Sequence, residues 1–180
     1  YPPAKDGTSR ILVIYEVEDV WSEEDNGHYL SIDLGLHNLM TCYDNVGKTF
    51  IIGREYLSLS YFYNKEIARV QSQWGRIQAA REMEDLKTSK HLQKLYRKKN
   101  DCIKDYIHKM TRYITNYCVK NDIHTVVIGD IKGICTERNV GRQTNQKLHG
   151  LPYARIYMQL EYKIKMQGIC LIRQEESYSS

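Results

Sequence analysis

The sequence predicts an α/β domain with one mixed β-sheet and a long helical insertion between the third and fourth strands. Three observations support this fold class: three short strand patterns between residues 28 and 52, two long helical patterns between 58 and 121, and a closing strand–helix–strand pattern. Strands joined by short turns pair antiparallel, whereas strands joined through a helix pair parallel. We therefore expect an antiparallel half and a parallel half.

The charge is unevenly distributed along the chain. The 180 residues carry 26 basic and 22 acidic side chains, for a formal net charge of +4. Residues 1–35 hold 2 basic and 8 acidic groups, whereas residues 81–121 hold 11 and 5. No run approaches the roughly 20 apolar residues of a membrane span, so we expect no membrane partner.

The cysteines indicate the cellular compartment. Their number is odd and their positions are scattered: Cys42, Cys102, Cys118, Cys135 and Cys170. No pair has the spacing of a zinc knuckle, and no disulfide framework is indicated. We therefore expect reduced thiols in a cytoplasmic protein.

Strand patterns occupy the first third of the chain. Arg10–Glu18 is rich in β-branched residues and predicts a strand, and the acidic stretch Trp21–Gly27 predicts a linker. Three short strands are then predicted, at His28–Leu34, Asn38–Asp44 and Lys48–Ile52. The turn residues Asp44–Gly47 predict a hairpin between the last two.

Helical periodicity starts near Ser58. Ser58–Met83 predicts a polar helix, and Ser89–Asn121 predicts a stronger one, because its apolar residues recur every three or four positions. The break near residues 87–89 predicts a helical hairpin or one long bent pair.

The last third returns to strands. The continuous apolar run Thr125–Ile128 predicts a strand covered on both faces. Pro152 opens a helix that runs to about Gln167, and Ile169–Arg173 predicts the final strand. This order of elements is consistent with an RNase H-like fold.

Two carboxylates stand at predicted strand ends. Asp33 lies in an apolar strand and is followed by Gly35, and Asp130 ends the next buried strand. A carboxylate in such a strand is costly unless it is hydrogen-bonded, paired or bound to a metal. Two such carboxylates suit Mg²⁺ or Mn²⁺ and phosphodiester cleavage with two ions. The alternative is that both are ordinary turn or cap residues.

Several segments match one family in the same order. Tyr29–Leu39 resembles the first nuclease motif of the OrfB/TnpB family of transposon-encoded, RNA-guided nucleases with a RuvC-type, RNase H-like fold. The other matching segments are Gly53–Glu55, Asn64–Glu66, Tyr106–Thr111, Thr125–His149, Leu160–Lys163 and Glu176–Ser180. The resemblance implies that residues 1–27 end a preceding β-rich, guide- and target-contacting domain. It implies that residues 28–180 form a RuvC-like core with a helical insertion at 58–121.

The resemblance also implies site residues. Asp33 matches the family's first catalytic aspartate. Gly129 stands where many members have a glutamate, so either Asp130 takes over metal binding or Glu161 reaches in from the neighbouring helix. The third aspartate and the cysteine-rich zinc segment are expected after Ser180. The chain by itself is therefore expected to be inactive.

Two groups of polar residues are candidates for binding DNA and guide RNA. The first group lies on the basic helix: Lys94, Arg97 and Lys98. The second lies in the loop after the fourth strand: Arg138, Arg142, Asn145 and Lys147. Basic side chains that track phosphates make binding salt-dependent. The alternative for the helix is an ordinary solvated surface.

The sequence thus leaves two main functions open. One is the core of an RNA-guided DNA endonuclease, and the other is a truncated relative that binds nucleic acid without cutting it. Another RNase H-like hydrolase, such as a Holliday-junction resolvase, is disfavoured by the long helical insertion.

Overall fold

The computed structural model describes residues 9, 11–16, 20, 24–82, 89–130 and 151–175. Among these residues the strands and helices follow the predicted order, with bounds within a few residues of the predicted ones. The strands are β1 (Tyr29–Asp33), β2 (Met40–Asp44), β3 (Thr49–Ile52), β4 (Thr125–Asp130) and β5 (Cys170–Glu175). The helices are α1 (Glu55–Ala80), α2 (Lys90–Lys120) and α3 (Tyr153–Lys165).

The prediction of a strand at Arg10–Glu18 is wrong over residues 11–16. These residues form no strand, and Ile11 is 91% exposed. β-branched side chains favour a strand only where a neighbouring strand completes its hydrogen bonds. No strand pair among the described residues includes this segment.

The sheet has the order β3-β2-β1-β4-β5. β1 pairs antiparallel with β2, and β2 pairs antiparallel with β3. β1 pairs parallel with β4, and β4 pairs parallel with β5. The predicted mixed sheet, with its antiparallel and parallel halves, is confirmed.

The two faces of the sheet differ in burial. Side chains alternate between the faces of a strand, and the register joins Leu30 to Val126 and Ile32 to Ile128 on one of them. All four are at most 1% exposed, and we call this side the covered face. On the open face the large side chains are only partly buried: Tyr29 is 41%, Tyr43 46% and Ile172 44% exposed.

The second half of α2 and all of α3 pack on the covered face. The ring of Tyr117 of α2 contacts that of Phe50, with ring centres 4.7 Å apart and planes tilted by 52°, and the register places Phe50 on that face. Lys163 of α3 is 7% exposed and ties the helices together by donating to the Thr111 hydroxyl (2.6 Å) and to the His108 carbonyl (3.0 Å). Burial, with a smaller contribution from Arg112, lowers the pKa of Lys163.

The chain divides into two compact units. One, the helical unit, holds Tyr1–Glu18 and Leu57–Asp105, and the other, the sheet unit, holds Asp19–Tyr56 and Tyr106–Ser180. Within the helical unit, α1 and the first half of α2 form the predicted helical hairpin. The Tyr63 hydroxyl lies 3.1 Å from the Cys102 sulfur, and Leu92 packs with side chains of α1.

Gly53 connects β3 to α1 with a φ of +92°, a conformation that L side chains rarely adopt. A β-carbon at this position would lie 2.5 Å from the β-carbon of Leu39 and 3.2 Å from the Met110 sulfur. The close approach of the backbone to these two core residues therefore requires a glycine.

Candidate functional site

Asp33 lies at the carboxyl end of β1 in the centre of the sheet. Its side chain is exposed, and alternation places it on the open face. The register joins Ile32 to Ile128, so the residue beside Asp33 on β4 is Gly129. The strand position closest to Asp33 in the parallel half therefore carries no side chain.

Asp130 lies one residue further along β4, where it pairs with Glu175. Asp130 is two residues after Ile128, so alternation places its side chain on the covered face. The side chain of Asp33 is on the opposite, open face. Asp130 is half-buried. The structure therefore does not bring these two aspartates together on one side of the sheet.

Glu161 lies on the exposed surface of α3 and is brought close to Asp130. Its Oε2 accepts a hydrogen bond of 3.1 Å from the Arg173 guanidinium. Both carboxylates line one cavity of about 290 Å³ between α3 and the carboxyl ends of β4 and β5. The lining residues are Asp130, Tyr153, Ala154, Tyr157, Met158, Glu161 and Arg173.

Five of the seven lining residues were not predicted from the sequence, and two of these five, Arg173 and Tyr157, contact each other. The Arg173 guanidinium lies 4.8 Å from the centre of the Tyr157 ring, and the Tyr157 hydroxyl donates to the Gly129 carbonyl. Arg173 pairs in register with Ile128, so it faces α3. The alternation of β5 is the only signal in the sequence that points to this arrangement.

The described residues do not fit a two-metal centre. Two hard divalent ions need several carboxylate oxygens around a shared point. Over residues 24–82, 89–130 and 151–175, no three His, Cys, Asp or Glu side chains are grouped so that they could hold a metal ion. Asp33 beside Gly129 provides one carboxylate where the chemistry needs several.

A further carboxylate, Asp44, has a structural role. It is 3% exposed on the covered face, where the Tyr117 hydroxyl donates to it at 2.8 Å and the Val46 amide at 2.9 Å. Burial first, and then the hydrogen bond to Asp44, raises the pKa of Tyr117 to about 12. Burial likewise raises the pKa of the Cys42 and Cys118 thiols to about 12.

The basic residues predicted to contact nucleic acid are partly described. α2 carries nine Lys or Arg side chains and two Asp, so the formal net charge of this helix exceeds the +4 of the whole chain. Lys94 and Lys98 are exposed, and Arg97 is half-buried. The other predicted contacts lie outside the described residues: Arg138, Arg142, Asn145 and Lys147.

A search of the described helices for a membrane span gives a negative result, because none combines the necessary length with the necessary apolar character.

Two solved structures share this fold. The chain is similar to Cas12f1 in a complex with sgRNA and target DNA, with 21% identity, a TM-score of 0.58, and coverage of 86% of this chain and 37% of that chain. It is also similar to a protein in a CRISPR-Cas12f ternary complex, with 19% identity, a TM-score of 0.57, and coverage of 87% and 30%. The chain thus spans about a third of the length of these proteins. The predicted RNase H-like, RuvC-type fold is confirmed.

Comparison with curated proteins gives no match. A family profile does match: that of OrfB_IS605, described as a probable transposase, covers residues 12–135, which is more than half of the chain. The segments from Tyr29 to Asp130 that suggested this family lie inside the matched region, and the resemblance is confirmed. The chain belongs to the OrfB_IS605 family of probable transposases.

Proposed function

We propose that this chain forms the RuvC-like core of an RNA-guided DNA-binding protein, and that it holds guide RNA and DNA without cutting the DNA. Membership of the OrfB_IS605 family supports a role on DNA. The solved relatives of the same fold were captured with sgRNA and target DNA, which supports the two partners.

The proposal that the DNA is not cut rests on a single observation, which is the residue beside Asp33 on β4. Where the resemblance expects a glutamate, Gly129 leaves the exposed carboxylate of Asp33 without a second one beside it on β4. Asp130 and Glu161, the two candidates for replacing that glutamate, line a cavity on the covered face. A lone carboxylate holds divalent ions weakly because each ion needs several hard oxygen ligands.

An endonuclease is the second candidate, and the position of Asp33 favours it. The side chain is exposed at the carboxyl end of a central strand, where ligands of open α/β sheets commonly bind. Asp33 would then be a catalytic carboxylate, assisted by Mg²⁺ or Mn²⁺ and by carboxylates outside the described residues. The cytoplasmic location and the predicted zinc segment after Ser180 stay predictions.

The basic surface of α2 provides the test of binding. In a fluorescence anisotropy titration with a labelled 20-nucleotide RNA, Lys94→Ala/Lys98→Ala should weaken binding about tenfold at low salt. The slope of log K against log salt should fall by about 1.4, because each lost contact to a single strand contributes roughly 0.7.

The matched control is Lys65→Ala/Lys120→Ala, which removes the same charge from two other exposed positions. Equal losses in the two variants would contradict a specific role for Lys94 and Lys98. If the wild-type chain bound neither the RNA nor a DNA of the same length, the proposed function would be wrong. Cleavage of the DNA in Mn²⁺ that disappears in Asp33→Ala would instead establish the endonuclease.

A further inference from the structure

We propose that the cavity between α3 and the carboxyl ends of β4 and β5 binds one unpaired guanine base of a single-stranded nucleic acid. The inference rests on the proposed function, since it assumes that nucleic acid is the ligand of this protein. It gives Asp130 and Glu161 a role in recognition and separates them from Asp33.

The position of the cavity is typical of a ligand site. Parallel strands of an open sheet direct their carboxyl ends to one edge, and ligands bind in the crevice outside that edge. Asp130 ends β4, and Arg173 lies two residues before the end of β5. A volume of about 290 Å³ is near the lower limit of ligand pockets, so the cavity admits one planar base.

The walls suit an aromatic ligand. Tyr153, Tyr157 and Met158 line the cavity, and Tyr157 is held in place by its hydroxyl bond to Gly129 and by the guanidinium over its ring. A fixed aromatic wall binds a flat ring with little loss of side-chain freedom. Tyr157 is only 8% exposed, so a base would reach this wall at Tyr153, which is half-buried, and at Met158, which is 59% exposed. Stacking of this kind accepts any base.

The polar groups of the cavity select among the bases. The carboxylate of Asp130 only accepts hydrogen bonds, whereas the guanidinium of Arg173 only donates them. Guanine is the base that offers two adjacent donors, N1–H and the N2 amino group, beside the acceptors O6 and N7. Arg173 has five N–H donors, so it can bind Glu161 and the base together.

The test compares labelled hexanucleotides that contain one guanine, one adenine or one cytosine among uracils, with DNA versions among thymines. In fluorescence anisotropy, the guanine hexamer should bind the wild-type chain about tenfold more tightly than the adenine hexamer. Asp130→Asn should bring this ratio close to one, because an amide repels one of the two guanine donors. Comparison of the RNA series with the DNA series establishes whether RNA or DNA supplies the base.

Asp101→Asn is the matched control, because it removes the same charge from the exposed surface of α2 and should leave the ratio unchanged. Circular dichroism checks that Asp130→Asn folds. If Asp130→Asn does not fold, Glu161→Gln is used in its place. This variant should also reduce the ratio of guanine to adenine binding, because Arg173 loses its ion-pair partner. Equal binding of guanine and adenine hexamers overturns this inference alone when the 20-nucleotide RNA still binds. Failure of every oligonucleotide to bind overturns the proposed function as well.

Discussion

The two faces of the central sheet carry carboxylates in opposite settings. On the covered face Asp44 is 3% exposed and accepts hydrogen bonds from Tyr117 and Val46. On the open face Asp33 is exposed beside Gly129. A buried carboxylate must be hydrogen-bonded because its desolvation is costly, whereas an exposed one is free of that requirement. The covered face therefore carries the carboxylate that stabilises the fold, and the open face carries the one whose side chain is exposed.

The largest expected effect comes from truncating neighbouring residues of β4 on the two faces. Ile128 is 0% exposed on the covered face, and Val127 is half-buried on the open face. Ile128→Ala should lower the free energy of unfolding by about 2–5 kcal/mol, because it removes buried methyl groups and leaves a cavity. Val127→Ala should cost about 1 kcal/mol. Urea unfolding followed by circular dichroism measures both, and equal losses would refute the distinction between the faces.

A smaller effect is expected in alkaline solution. Cys42 and Cys118 are fully buried as neutral thiols, with pKa values raised from 9.0 to about 12. Because the folded pKa lies above the unfolded one, their contribution to stability is complete below pH 9 and is lost as the pH rises towards 12. The loss is at most about 1.4 kcal/mol per pH unit for each thiol.

Urea midpoints between pH 8 and pH 11 measure this loss. Cys118→Ala should reduce the slope above pH 9. Cys170→Ala, which removes an exposed thiol from β5, should leave it unchanged. If Cys118→Ala kept the full slope, burial of the thiols would not be its cause.

The smallest effect on stability is expected at Asp33. Because its side chain is exposed, Asp33→Asn should change the free energy of unfolding by less than about 0.5 kcal/mol. Asp44→Asn, by contrast, changes a buried carboxylate and should cost about 1–3 kcal/mol. The same urea titration compares the two. A large loss in Asp33→Asn would mean that this carboxylate has a structural role on the open face.

Much of the fold could be predicted because its signals are local. In α2, apolar side chains recur every three or four positions over 31 residues, and the turn that ends at Gly47 involves only a few consecutive residues. Both signals can be read from neighbouring positions. The segment 11–16 shows the limit of local signals, since its residues favour a strand but pair with none of the strands in the described part of the chain.

The candidate site could be predicted only in part, because its geometry depends on register. Asp33 and Asp130 both end apolar strands, yet an offset of one residue between β1 and β4 puts them on opposite faces. No local pattern encodes that offset. The contact of Arg173 with Tyr157 likewise joins a strand to a helix, and only the folded chain brings them together.

Gly53 has a practical consequence for recognising relatives of this chain. Two independent constraints act on Gly53, the positive φ and the 2.5 Å approach to Leu39. An alanine at this position would strain the backbone, and it would fit only if residue 39 were smaller. In the short segment Gly53-Arg54-Glu55, the glycine is thus fixed by packing, whereas the side chains of Arg54 and Glu55 are exposed. A search for further members should weight this glycine heavily and should allow its replacement only together with residue 39.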